Sequence, residues 1–292
     1  PHRPAAPPAD HSRSCYPSPL RKGSEIVPAT AQAVKDDGPM NSPLCWMGGK
    51  SRLAKQIVSV LPPHRAYAEV FAGGAWVFFR KPESSFESIN DLNSDLVTFY
   101  RVLQFHIEEF CRQFKWLVSS REWFNDWNRQ LAAGGLTDIQ RSARFYYLQR
   151  HSFSSDIVDR SFGRSTHEAP RINLLRIEEE LSAIHLRMAR VTIENLPWRE
   201  YVDRYDSPTT LFYLDPPYWG FEDIYGKGMF CRQDFDLIAE ALSGIKGSFV
   251  LSINDVPEVR SLFQGFKIKE VQTTYCSRKI ATGVRELLIF NF

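Results

Sequence analysis

The 292-residue chain has no apolar run of about 18 residues, so no segment reads as a membrane-spanning helix. Its opening, PHRPAAPPAD, lacks the apolar stretch of a secretory signal. An excess of either charge is also missing. Lys plus Arg number 36 against 34 Asp plus Glu, a net charge of +2, so any basic surface must be local. Cysteine is sparse, with Cys15, Cys45, Cys111, Cys231 and Cys276 forming an odd set without a C-x-x-C pair. That pattern argues against a disulfide framework or a structural zinc and for reduced thiols in the cytoplasm. There is no internal repeat and no His, Asp and Glu cluster that suggests a metal. What is present is ordinary: 43% hydrophobic and 24% charged residues, in a length that suits one large domain or one domain with an insertion.

Residues 1–40 differ from the rest. Eight of the 18 prolines fall there and Tyr16 is their one aromatic, so the segment reads as a disordered leader. Met40 stands just before the first ordered-looking motif and is the expected natural start, which makes the leader an upstream or added extension. In SRLAKQIVSVL, Leu53, Ile57 and Leu61 have helical spacing, and Pro62-Pro63 ends the helix. RAYAEVF and FESIND read as strands, and NSDLVTFYRVLQFHIEEFCRQF reads as one long helix capped by Asn93 or Ser94. From 107 to 195 the chain is mostly helical and rich in Arg and aromatics, interrupted by the polar SSDIVDRSFGRSTHEAPRIN. SFVLSIND is a further buried strand, with KIKEVQTTY and ELLIFNF as a terminal pair. Strands alternating with helices imply a largely parallel sheet covered on both faces.

Such sheets bind ligands at the carboxyl ends of their strands, and three ends here carry unusual residues. At Glu69-Val70-Phe71-Ala72-Gly73-Gly74-Ala75, glycines follow a strand. They allow a sharp turn or close approach of a ligand, although a purely structural turn would look the same. At Ile89-Asn90-Asp91, a carboxylate sits about 20 residues further on, where doubly wound folds hold a ribose. Its alternative is a cap on the next helix. The third end is Leu211-Phe212-Tyr213-Leu214 followed by Asp215-Pro216-Pro217-Tyr218. Prolines have no N–H, so this edge offers acceptors and few donors. Beside Asp215, it suits a planar group with two N–H donors, such as the exocyclic amine of a base, and the Tyr218 ring can stack on that base.

With those residues in view, the chain from about 44 to 292 resembles the Dam-like, or D12 class, DNA adenine-N6 methyltransferases. CWMGGKSRLA resembles the family's W-x-G-G-K element, EVFAGGAWVFF its F-x-G-x-G loop and DPPY its catalytic tetrad, with INDLNSDLV and LSINDVPEVRSLF as supporting matches in order. The resemblance implies an α/β fold: a Rossmann-like S-adenosylmethionine-dependent methyltransferase sheet, from 41–106 and 196–292, with a mostly helical DNA-recognition insertion at 107–195. It implies that Trp46, Gly49, Lys50, Phe71, Gly73 and Asp91 contact S-adenosyl-L-methionine, with Asp91 on the ribose. It further implies that Asp215 and the Pro216 carbonyl accept from the target N6 amine, Asp215 also lying near the methionine part of the cofactor. Pro217 completes the rigid edge, and Tyr218 stacks on the adenine, with Trp219 a second stacking candidate. Two departures matter. Ala75 stands where the family commonly has a second Gly, which would be strained at positive φ. Residues 151–175 do not match the target-reading hairpin of GATC-specific members, so GATC recognition is not implied.

Between 141 and 190 there are nine Arg, no Lys and six acidic residues. Arg160 and Arg164 in the polar interruption are the candidate DNA contacts, through guanidinium forks suited to phosphate and guanine. Arg187 and Arg190 are expected to decorate a helix, and His151 is either a core-edge residue or a DNA contact. The reaction expected is methyl transfer from S-adenosylmethionine to adenine N6 in double-stranded DNA, with base flipping, no metal and no membrane, by a monomer or weak dimer. Cytosine N4 or an RNA base is the alternative acceptor, disfavoured by Asp215 because the family more often has Ser there for cytosine. A silent DNA-binding module is the other alternative.

Overall fold

The structure, a computed structural model, describes residues 40–153, 160–163, 172–173, 176–277 and 280–292. The expected leader therefore lies outside the described residues, apart from Met40. Seven strands are described: β1 (Ala66–Glu69), β2 (Phe86–Asn90), β3 (Thr192–Glu194), β4 (Thr210–Leu214), β5 (Ser248–Asn254), β6 (Lys267–Ser277) and β7 (Ile280–Phe290). They form one sheet in the order β3-β2-β1-β4-β5-β7-β6. The pairs β1–β2, β1–β4, β2–β3 and β4–β5 are parallel, while β7 runs antiparallel to β5 and to β6. The order reverses between β1 and β4, where a doubly wound sheet opens a crevice beyond its strand ends.

Ten α-helices accompany the sheet among the described residues: α1 (Ala54–Val58), α2 (Trp76–Arg80), α3 (Ser94–Phe105), α4 (Ile107–Arg112), α5 (Arg121–Ala133), α6 (Asp138–His151), α7 (Ile177–Met188), α8 (Trp198–Tyr205), α9 (Arg232–Ser243) and α10 (Pro257–Leu262). Strand side chains alternate between faces, and the core divides accordingly. Tyr67, Leu211 and Tyr213 join α1 to α7 in one cluster. Ala68, Phe212 and Leu214 join α8 to α10 in the other. β4 is buried along its whole length, as expected of a central parallel strand.

The segment expected to form an insertion, 107–195, holds α4 to α7 and then β3. β3 extends the sheet beside β2, with Ile193 opposite Ile89. At three residues it is too short for an alternating pattern to show. The long helix expected from Asn93 is broken at His106, whose φ of −136° and ψ of 39° lie outside the helical region. The break lets Phe110 pack against Phe99 at 5.8 Å and Tyr146 at 5.6 Å. Asn93 is the N-cap of α3, its side chain accepting from the amides of Asp95 and Leu96.

Candidate active site

The glycine loop after β1 and the DPPY edge after β4 leave neighbouring strands at the crevice. A cavity of about 300 Å³ lies there, lined in part by Trp46, Gly49, Lys50, Phe71, Gly73, Asp91 and Asp215. Sequence motifs up to 169 residues apart, Trp46 to Asp215, thus share one cavity.

Backbone geometry explains the glycine loop. Gly73 has a φ of +47°, and a Cβ placed there would lie 2.6 Å from the Trp46 indole nitrogen. Only glycine meets both demands. Ala75 is the one non-glycine residue with positive φ among the described residues, at 50°, so the strain expected there is present. Asn90, buried at the end of β2, fastens the loop from below: its Nδ2 donates to the Val70 carbonyl at 3.0 Å. Asp91 fastens it from the side. Gly73 N–H donates to Asp91 Oδ2 at 2.9 Å and Asn93 N–H donates to Oδ1 at 2.9 Å. Asp91 therefore ties two loops together, and Asn93, not Asp91, caps the helix. Burial pushes the Asp91 carboxyl above its ordinary value, against those amide hydrogen bonds.

At the DPPY edge, Lys50 Nζ lies 2.6 Å from Asp215 Oδ1. Ser252 Oγ donates to the same oxygen at 3.0 Å and pairs with the Tyr213 hydroxyl at 2.8 Å. Burial pushes the Asp215 carboxyl up, and Lys50 opposes the shift. The Lys50 ammonium also lies 4.8 Å from the centroid of the Tyr218 ring and 3.9 Å from Glu286 Oε2. Pro216 and Pro217 are buried and Tyr218 half-buried. Pro217 lines the cavity; Pro216 and Tyr218 do not, so the tyrosine ring is linked to it through Lys50.

Sequence reasoning missed several residues here. Tyr225 lines the cavity, stacks on Trp46 with centroids 6.1 Å apart, and donates to the Met47 carbonyl at 3.0 Å. Its aromatic neighbours in the sequence gave no reason to single it out. Glu69 and Glu286 are buried carboxylates inside apolar strands, and that contrast was a usable signal. Glu69 accepts from the Tyr67 hydroxyl at 2.6 Å and the Phe78 amide at 3.1 Å. Burial raises its pKa to about 8.

Arg160 is half-buried, its guanidinium 6.0 Å from the Phe145 ring and 3.4 Å from Asn128 Oδ1, away from the cavity. Arg164 lies outside the described residues. Arg190 is exposed but lies in the turn after α7, and Arg187, on α7, points inward instead of decorating the helix surface. It is buried against Glu87, donating to Oε1 at 2.9 Å, and lies 3.9 Å from the Phe78 ring. The Arg187 side chain reaches inward from α7 to the Phe78 ring, and an unpaired Glu87 would carry a large desolvation cost. His151 is a core residue, bonded to the Tyr147 carbonyl at 3.0 Å and Ser119 Oγ at 2.9 Å.

The family model for D12 class N6 adenine-specific DNA methyltransferases matches residues 46–276. The chain belongs to that family. Among curated relatives, a DNA N-6-adenine-methyltransferase of Escherichia phage P1 is 27% identical over 77% of this chain, which spans 31% of that protein's length. A DNA adenine methylase of Vibrio cholerae is 26% identical over 84% of this chain and 94% of its own length. A Type II methyltransferase, M.MjaIII, of Methanocaldococcus jannaschii is 24% identical over 85% and 98%. The precorrin-6y C5,15-methyltransferase of Geobacter metallireducens GS-15 overlays with a TM-score of 0.38 at 10% identity, covering 82% of this chain and 88% of its own. That overlay is too loose to bear on the site.

This family uses S-adenosylmethionine, and the cavity fits it. Its walls offer aromatic surface from Trp46 and Tyr225 for an adenine ring and a carboxylate, Asp91, for a vicinal diol. Asp215 offers negative charge for a sulfonium or an ammonium. No helix among the described residues is long and apolar enough to cross a membrane, and no three His, Cys, Asp or Glu side chains there gather as a metal site requires.

Proposed function

We propose that the chain transfers the methyl group of S-adenosylmethionine to N6 of an adenine turned out of duplex DNA, with Asp215 as the acceptor that grips the amine. The observation that supports this is the state of the Asp215 carboxylate. Both of its hydrogen-bonding partners, Lys50 and Ser252, converge on Oδ1. Oδ2 has no partner among the described residues, and the side chain keeps 18% exposure at the cavity wall. One oxygen is thus anchored and the other presented. The Pro216 carbonyl is the natural second acceptor, because the amine carries two N–H groups.

An adenine amine is a weak nucleophile because its lone pair is delocalised into the ring. Acceptors on both N–H groups favour a more tetrahedral nitrogen and stabilise the positive charge that develops on it. The bound cofactor would supply an electrophilic methyl on a sulfonium. With the cofactor bound, its methyl would pass from sulfur to N6, and Asp215 would take the surplus N6 proton. Trp46, Gly73 and Asp91 hold the cofactor side of this line, which is a positioning task. Inside a duplex N6 lies in the groove edge of a pair, so the base must leave the stack, at a cost of a few kcal/mol offset by stacking on Tyr218.

Incubation with tritiated S-adenosylmethionine and unmethylated genomic DNA, followed by nucleoside analysis, tests the reading. Label in N6-methyldeoxyadenosine is expected. Label in N4-methyldeoxycytidine would move the acceptor, and cofactor binding without any transfer would leave a silent DNA-binding module.

A further inference from the structure

The segment between the tetrad and α9, residues 219–231, forms part of the cavity rim: Glu222, Tyr225, Gly228, Met229 and Phe230 line the cavity. Its first residues are fastened from several sides. Asn254, at the end of β5, clamps Trp219, whose N–H donates to Oδ1 at 2.9 Å and whose carbonyl accepts from Nδ2 at 3.1 Å. The Trp219 ring packs on Phe235, with centroids 5.0 Å apart, and the Arg232 guanidinium lies over it at 4.0 Å, so it is not the stacking surface for a base. Gly220, with φ of +90°, turns the chain, and its N–H donates to Glu222 Oε1 at 3.1 Å, an oxygen that also pairs with Arg232 at 2.9 Å. Phe221 comes next. Its N–H donates to the Tyr218 carbonyl at 2.8 Å, and its own carbonyl accepts from the Ile224 N–H at 3.1 Å. The backbone of Phe221 is thus held on both sides, yet its side chain is 60% exposed and belongs to neither core cluster.

We propose that Phe221 is a wedge for the target duplex, a positioning residue that enters the base stack where the adenine has left it. The inference rests on the base flipping proposed above. The hydrogen bond from Phe221 to Tyr218 closes a four-residue turn, 218–221, whose third residue is the positive-φ Gly220. The ring that receives the base and the ring that replaces it therefore stand at the two ends of one turn. Extruding a base costs the stacking and pairing it gives up, and its neighbours tend to close the gap. An apolar ring inserted between them recovers part of the stacking and keeps the gap open. Such a ring must be large and apolar, must stand in water before DNA arrives, and must sit on a backbone already ordered, so that insertion fixes little more than its own rotamer. Phe221 meets all three demands. A single ring is too small to anchor a protein partner, whose interface needs about 800 Å² on each side.

The test uses the full chain and oligonucleotide duplexes. Sequencing of genomic DNA methylated by wild type first locates the target adenine. Duplexes then carry it opposite thymine or opposite an abasic site, where extrusion costs less. Phe221→Ala is expected to lower kcat/KM on the paired duplex on the order of 10-fold and to match wild type within about twofold on the abasic one. Phe221→Leu, which keeps an apolar side chain, is expected to retain most of the paired-duplex activity. With 2-aminopurine in place of the target adenine, the fluorescence rise on binding the paired duplex is expected to shrink in Phe221→Ala. The cofactor Kd and the melting temperature are expected to stay at their wild-type values, because the ring lies outside the core. Equal losses on the two duplexes, or an undiminished 2-aminopurine signal, would overturn the wedge and leave methyl transfer to adenine standing. Wild type that labels no base would overturn the proposed function and the wedge with it. Label on cytosine would move the acceptor alone, and the same two duplexes built on that base would decide the wedge.

Discussion

The backbone amide of Gly73 donates to Asp91 Oδ2 at 2.9 Å across 18 residues of sequence, joining the loop after β1 to the end of β2. The second oxygen of Asp91 takes the Asn93 amide at 2.9 Å. Each carboxylate oxygen retains acceptor capacity for a ligand hydroxyl. Asp91→Ala is expected to raise the cofactor Kd by a factor on the order of 10 to 100, since a hydrogen bond to a charged group contributes about 1.5–3 kcal/mol. It is also expected to lower the melting temperature, because two loop amides lose their acceptor. Calorimetry and a thermal melt check the two parts, and an unchanged Kd would remove Asp91 from the cofactor site.

Much of this arrangement was legible beforehand, for reasons visible in particular residues. The run Leu211 to Leu214 could be read as a strand because a central parallel strand is buried on both faces and so is apolar throughout. Asp215 could be placed at its end because a carboxylate cannot continue such a run. Gly73 was legible because a turn at positive φ demands glycine. Other features were not. The inward turn of Arg187 depends on Glu87, 100 residues away in the sequence, and no local pattern announces a partner at that separation. Tyr225 meets a distant turn, its hydroxyl 3.2 Å from where a Cβ on Gly48 would lie, and nothing near it in the sequence announces that neighbour. The break at His106 lies inside an uninterrupted helical pattern and follows from where Phe110 must pack.

Asp215 should govern the acid side of the reaction. Burial raises its pKa above the ordinary aspartate value of about 3.9, with Lys50 opposing. The carboxylate is the form that accepts the amine. Activity is therefore expected to be full above the raised pKa and to be lost as pH falls through it, so the acid limb of kcat should sit above the ordinary aspartate range. Asp215→Asn, which removes the charge and keeps the shape, is expected to lower transfer by about 100-fold or more while DNA binding persists. Rates close to wild type in that variant would refute the role.

The triad of Lys81, Glu87 and Arg187 makes a stability prediction. Their side chains are 1%, 6% and 8% exposed, and both cations reach the one carboxylate. Arg187 also donates to the Phe78 carbonyl at 3.2 Å, tying α7 to α2. Arg187→Ala leaves Glu87 with one cation and the carbonyl without its donor. With Lys81 still compensating Glu87, the loss is that of hydrogen bonds to a charged group, about 1.5–3 kcal/mol, and not the larger cost of an uncompensated buried charge. Urea unfolding should show that loss, with cofactor affinity retained in the folded fraction; a change below about 0.5 kcal/mol would mean the pair is solvated in solution.

Glu69 gives the sharpest pH test. The residue is 2% exposed and its pKa is raised to about 8 by burial, which outweighs the hydrogen bonds from Tyr67 and Phe78. In the unfolded chain the same group titrates near the ordinary glutamate value of about 4.3. The folded state therefore binds the proton more tightly. Stability associated with this group is complete below the unfolded pKa, declines as pH rises from there, and is lost once pH passes the folded pKa. The slope in that window is about 1.4 kcal/mol per pH unit for one proton. Glu69→Gln stays neutral at every pH, and its one carbonyl oxygen can accept from both Tyr67 and Phe78. The variant is thus expected to match wild type below the unfolded pKa and to exceed it increasingly up to about pH 8, then to hold a constant advantage. Urea midpoints measured across that range decide the matter. A difference between the two proteins that does not grow with pH would mean that Glu69 keeps its charge in the folded state, in contact with solvent or a cation.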